Sequence, residues 1–77
     1  MGSEIKTDLQ EFMNNKATFS ILELKKILKK RGYRNLKLSG INTNKGYLLT
    51  VEEDDLFFDL IVEGKEKFRI KNIQKSS

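Results

Sequence analysis

Hydrophobic positions divide this chain into two regimes that meet at Gly32. Before it they recur every three or four residues, and after it they alternate. Over residues 4–15, Ile5, Leu9, Phe12 and Met13 fall on one helical face, and Asn14-Asn15 close the segment. Between Phe19 and Gly32 the helix signals are denser. Ser20 and Glu23 have the spacing of a capping box, in which each side chain satisfies a main-chain donor that the first turn leaves free. Phe19 and Leu24 stand at the two positions of a hydrophobic staple. Ile21, Leu24, Ile27 and Leu28 make the apolar face, and Lys25, Lys26, Lys29 and Lys30 the opposite one. Lys29, Lys30 and Arg31 lie in the last turn, where cations offset the helix dipole, and Gly32 suits the left-handed residue that ends a helix. Leu22 falls on the lysine side. The short connection Lys16-Ala17-Thr18 makes the two helices neighbours and predicts that the first covers it.

Alternation after Gly32 predicts strands at 35–41, 46–53, 56–63 and 67–73. Register follows from keeping apolar residues on one face. A two-residue turn at Asp54-Asp55 sets Val51 against Phe58, Leu49 against Leu60 and Tyr47 against Val62. A three-residue loop, Gly64-Lys65-Glu66, sets Val62 against Phe68 and Leu60 against Ile70, and pairs Asp59 with Lys71 and Glu63 with Lys67 on the other face. A loop over Asn42-Thr43-Asn44-Lys45 brings Leu38 to Leu49 and Leu36 to Val51. The expected architecture is α+β: two N-terminal helices packed on one face of a four-stranded antiparallel meander (ααββββ), in a single domain over 1–77 with 1–3 and 75–77 frayed. A rival reading stays open over residues 50–63. Thr50 and Glu53 also fit a capping box, and Leu56, Phe57, Leu60 and Ile61 have helical spacing up to Gly64.

Composition narrows the chemistry. The chain has no Cys and no His, which removes the thiolate and imidazole nucleophiles, bases and metal ligands. Its glycines lie at element ends and turns rather than in a phosphate-binding loop, and the carboxylates at 52–55 do not have the spacing of a calcium loop. No enzyme, cofactor or metal is therefore expected. Absence of cysteine, of a membrane-length apolar run and of a signal-like N-terminus points to a cytoplasmic protein without a membrane partner.

The net charge of +4 is modest but unevenly placed. One basic block holds Lys25, Lys26, Lys29, Lys30, Arg31, Arg34 and Lys37, and a second holds Lys65, Lys67, Arg69, Lys71 and Lys75. Between them lies Glu52-Glu53-Asp54-Asp55. The expected function is a small binding domain, with nucleic acid as the first candidate partner. Two surfaces suggest themselves: the lysine face with Arg31 and Arg34 along a duplex backbone, or Phe57 stacking on an unpaired base beside Lys67, Arg69 and Lys71. The alternative is a protein-binding inhibitor or adaptor, of the kind a mobile element could carry, since the Lys-, Asn- and Ile-rich composition suits an A+T-rich coding sequence. It would use an apolar cluster of Leu48, Phe57 and Ile61 on the uncovered sheet face, an edge strand (the first or the last), or the acidic hairpin through Glu53 and Asp54. A homodimer through the same sheet face is a further alternative.

Overall fold

A computed structural model describes residues 5–44 and 46–76. The elements are α1 (Ile5–Asn14), β1 (Thr18–Phe19), α2 (Ile21–Lys30), β2 (Leu36–Thr43), β3 (Gly46–Glu53), β4 (Leu56–Glu63) and β5 (Phe68–Ser76). Residues 1–3 and 77, expected to fray, and the first position of the expected 4–15 helix lie outside the described residues. Lys75 and Ser76, also expected to fray, belong to β5. The 50–63 segment is a β-hairpin, which closes the helical alternative.

The sheet corrects the expected meander. It has five antiparallel strands in the order β1-β5-β4-β3-β2 and curls like half a barrel. The additional strand is Thr18–Phe19, in the stretch read as a plain connection; Thr18 pairs with Arg69 and Phe19 with Phe68. Two residues are too few to show alternation, so periodicity could not reveal the strand.

Three registers can be compared with expectation. The β3–β4 hairpin has the expected pairs Val51↔Phe58, Leu49↔Leu60 and Tyr47↔Val62. The β2–β3 pair is displaced by two residues: Leu38 meets Val51 rather than Leu49, and Thr43 meets Gly46, so the connection is shorter than expected. A slip of two leaves every side chain on its intended face, which is why face-matching alone could not detect it. The β4–β5 pair starts at Glu63↔Arg69 and Val62↔Ile70, then jumps to Ile61↔Asn72 and Leu60↔Ile73. The extra residue, Lys71, makes a β-bulge that reverses the alternation beyond it. Ile73 consequently packs against the core rather than lying on the outer face. The expected charge pairs change with the register. Glu63 bonds Arg69 at 2.8 Å with Lys71 3.8 Å away, and Lys67 reaches Glu23 on α2 at 3.6 Å. Asp59 faces Gln74 and accepts from the Thr50 hydroxyl at 3.2 Å.

Both helices lie over the apolar face. The core joins Ile5, Leu9 and Phe12 of α1 with Leu24 and Leu28 of α2 and with Leu49, Val51, Phe58, Leu60, Val62, Phe68 and Ile70 of the sheet. The capping box of α2 is formed: Ser20 N–H donates to Glu23 Oε1 at 2.9 Å and Glu23 N–H to Ser20 Oγ at 3.1 Å. Phe19 and Leu24, the staple pair, are both buried. Each helix ends in a Schellman motif. At the end of α2, Gly32 (φ 103°) donates to Lys29 O and Tyr33 to Leu28 O. At the end of α1, Lys16 donates to Met13 O and Ala17 to Phe12 O, so the left-handed residue is Lys16 (φ 54°).

Tyr33, which the sequence pattern left unassigned, is buried, and its hydroxyl donates to Asp8 Oδ2 of α1 at 2.5 Å. A left-handed lysine is strained by roughly 1–2 kcal/mol relative to its ordinary conformations. Lys16→Gly is therefore expected to raise stability by about 0.5–1 kcal/mol, after allowance for the greater freedom of glycine in the unfolded chain. Urea unfolding midpoints of the two proteins check this, and a lower midpoint for the glycine variant would contradict the strain assignment.

Candidate nucleic-acid interface

The structure treats the two basic blocks differently. On α2, Lys25, Lys26, Lys29 and Lys30 occupy the face turned from the core, as two pairs four residues apart (25/29 and 26/30), so that their stems rise within about 8 Å of axis. Lys25 is half-buried and the other three are exposed. Among the described residues none of the four has an ion-pair partner. Leu22 stands on the same face and is 62% exposed, so α1 does not cover it as expected. The reason lies in β1: the pairing of Thr18–Phe19 with β5 sends α1 across that side of the sheet, where it packs against β5.

Arg31 is committed elsewhere. Its Nη1 bonds Asp8 Oδ1 at 2.8 Å and Glu11 Oε1 at 3.2 Å, and its guanidinium lies 4.9 Å from the centre of the Phe12 ring. The carboxylates of Glu11 and Asp8 hold it protonated above its ordinary range. Arg31 thus ties the end of α2 to α1 and drops out of the free positive surface. Arg34 is exposed but borders a depression lined by Lys37, Glu52, Asp54 and Asp55, where cations and carboxylates are mixed.

The second expected surface does not assemble. Phe57 is 39% exposed and lies opposite Glu52 and Ser76, whereas Arg69 lies opposite Glu63 at the far end of β4. Arg69 and Lys71 both bond Glu63, whose carboxyl is held below its ordinary range first by the Arg69 hydrogen bond and then by the charge of Lys71. Lys67 is drawn to Glu23, lowered chiefly by the Ser20 N–H and then by Lys67. An unpaired base on Phe57 would therefore meet the Glu52 carboxylate beside it, while Lys67, Arg69 and Lys71, the cations expected to flank it, are drawn to carboxylates elsewhere.

The apolar cluster expected on the outer face is also only partly formed. Leu48 faces Ile61 directly, but Phe57 is separated from them by the Thr50–Asp59 pair. The third apolar member is Ile41, which lies opposite Leu48 and is 59% exposed. The two-residue register slip hid this row; the expected pairing would have put Ile41 against Gly46.

The acidic hairpin is likewise tied down. Asn35 Nδ2 donates to Asp54 Oδ1 at 2.8 Å, and Asp54 N–H donates to Asn35 O at 3.2 Å. Asp54 takes φ 55°, as its turn requires. Glu53 lies on the core side of its strand, between Leu36 and Leu56, and is half-buried. Burial, with the Asp54 carboxyl beside it, pushes the Glu53 carboxyl up.

Among the described residues no group of three or more acidic, His or Cys side chains is arranged to hold a metal, and no helix is long and apolar enough to cross a membrane. No family model, curated protein or solved structure matches the chain.

The carboxyl shifts have opposite signs. Glu23 and Glu63, depressed in the fold, contribute stability above the ordinary carboxylate range that is lost as pH falls through their lowered values. Glu53 is raised, so its contribution is complete at low pH and is lost as pH rises through its raised value. Glu53→Gln is therefore expected to raise the melting temperature at neutral pH, with the gain shrinking as pH falls below the raised value. Thermal scans of both proteins across pH 3–8 test this; a gain independent of pH would contradict it.

Proposed function

We propose that this protein is a non-enzymatic binding domain whose α2 lysine face lies along a nucleic-acid backbone. The observation that carries the reading is a contrast between two sets of cations: Lys25, Lys26, Lys29 and Lys30 share one helical face without a carboxylate partner among the described residues, while Lys67, Arg69 and Lys71 of the second block are each paired. Unpaired ammonium groups at helical spacing can neutralise successive phosphates and release counterions, which gives affinity without sequence readout. The expected binding is weak, with Kd in the range of about 10⁻⁴–10⁻⁶ M at physiological salt, and indifferent to sequence. A chain without Cys is compatible with a reducing cytoplasmic setting, where such a partner is met.

Fluorescence anisotropy of a labelled duplex, titrated at several salt concentrations, tests the reading. If four lysines each neutralise one phosphate, log K falls by about 3–4 for each tenfold rise in salt. Lys26→Glu with Lys30→Glu is expected to weaken binding by at least about tenfold at low salt, while Lys71→Ala changes it by less than about twofold. Absence of binding at low salt, or equal losses in the two variants, would remove the proposal.

A further inference from the structure

We infer that the partner of the α2 lysine face is duplex DNA, with the helix lying over the minor groove and one row of lysines on each strand. The inference rests on the nucleic-acid reading and takes it from charge to geometry. An α-helix turns by about 100° per residue, so the four lysines do not form a single line. Lys25 and Lys29 stand about 40° apart and make one row, and Lys26 and Lys30 make a second about 100° further round. Within each row the stems are about 6 Å apart along the axis. The capping box fixes the start of α2, the Schellman motif fixes its end, and Arg31 ties that end to α1. The two rows therefore keep their relation, and only the lysine ends move.

A single strand presents one row of phosphates, which a rigid helix meets with one row of lysines at a time. A duplex presents two rows, one on each side of a groove. Extended lysines on rows about 100° apart hold their ammonium groups on the order of 10–15 Å from one another. The B-form minor groove is about 6 Å wide between phosphate surfaces, which puts the centres of its two phosphate rows about 12 Å apart. At about 10 Å across, α2 is too thick to enter that groove and lies over it. The B-form major groove, about 12 Å wide, sets its rims too far apart for both rows at once. In A-form RNA the minor groove is the wide and shallow one, so this match is lost.

The rest of the face agrees with a backbone-only contact to a duplex. Leu22, the other residue of α2 between the two rows, has no hydrogen-bonding side chain with which to read a base. Glu23, the carboxylate that borders the face, is held by the Ser20 N–H and by Lys67. Sites for single strands add aromatic rings on which bases stack, and this face has none. The chain has five Phe and two Tyr and no Trp. Phe12, Phe19, Tyr33, Phe58 and Phe68 are buried, and Tyr47 is stacked on Phe68. Phe57 is exposed, but on the outer face of the sheet, the side away from both helices. A single strand would gain only charge at α2, at one phosphate per about 3.4 Å of axis against one per about 1.7 Å in the duplex.

Anisotropy titrations of the full chain test this with three labelled probes: a short DNA duplex, one of its separated strands, and the RNA duplex of the same sequence. At low salt the DNA duplex is expected to bind at least about tenfold tighter than the strand and at least about threefold tighter than the RNA duplex. With four lysines engaged on the duplex and one row of two on the strand, log K should fall by about 3.6 and about 1.4 respectively for each tenfold rise in salt. Removing one row, by Lys25→Gln with Lys29→Gln, should halve the duplex slope and reduce the duplex preference to less than about threefold. Lys26→Gln with Lys30→Gln removes the other row and should do the same. Far-UV circular dichroism establishes that each variant is folded. Equal affinity for duplex and strand, RNA binding as tight as DNA, or a duplex preference that survives the loss of either row would overturn the inference and leave the nucleic-acid reading in place. Absence of binding to all three probes would remove both.

Discussion

The arrangement of the molecule depends on the two residues Thr18 and Phe19. Their main chain adds a strand to β5, and the Phe19 side chain joins three parts of the core at once. It pairs across the strands with Phe68, meets Phe12 of α1 edge to face at 6.0 Å between ring centres, and stands at the staple position of α2 opposite Leu24. Strand pairing fixes where the link between the helices crosses the sheet; the aromatic contact and the staple fix how each helix leaves it. Had this stretch been a free loop, α1 could have lain beside α2 over Leu22, and β5 would have been a bare edge.

From that anchor the division of surfaces follows. Once α1 is placed over β5, the helices hold one another through the end of α2, where Arg31 bonds Asp8 and Glu11 and Tyr33 reaches Asp8. These contacts use carboxylates of α1 that would otherwise oppose the lysines. The apolar face of the curled sheet is filled by the two helices and by the stacked pair of Tyr47 and Phe68, whose ring centres are 5.2 Å apart. The opposite face has no element of this chain over it among the described residues, so its polar rows and the single row at Ile41, Leu48 and Ile61 remain at the surface.

What could be read from the sequence was what local chemistry decides. Ser20, Glu23, Phe19 and Gly32 specify α2 by short-range hydrogen bonds and sterics, and the Asp54-Asp55 turn specifies the β3–β4 register because the residues on both sides alternate cleanly. Errors arose where a different choice preserved the same pattern. A two-residue slip of β2 keeps its apolar residues inward and was invisible to face-matching, yet it decides that Ile41 meets Leu48. The bulge at Lys71 leaves no hydrophobic signature until Ile73, which then turns inward. Tyr33 carries a local signal as well: it follows Gly32, the position at which a Schellman motif usually brings an apolar residue back against the helix.

The candidate binding surface shows the same limit in electrostatic form. A list of lysines and arginines makes the two basic blocks equivalent, because formal charge counts residues and ignores partners. In the fold, partner geometry decides: Glu63 sits across from Arg69 with Lys71 in reach, and Glu23, placed by its own capping duty, draws Lys67 to it. The block on α2 escapes this because a helix sorts its residues by angle, and the acidic residues near it serve the cap, the α1 tether and the β3–β4 turn. Exposed pairs of this kind contribute little to stability individually. Their larger effect is to subtract charge from one side of the molecule and leave it on the other. A polyanion responds to that local excess rather than to the net charge of the chain.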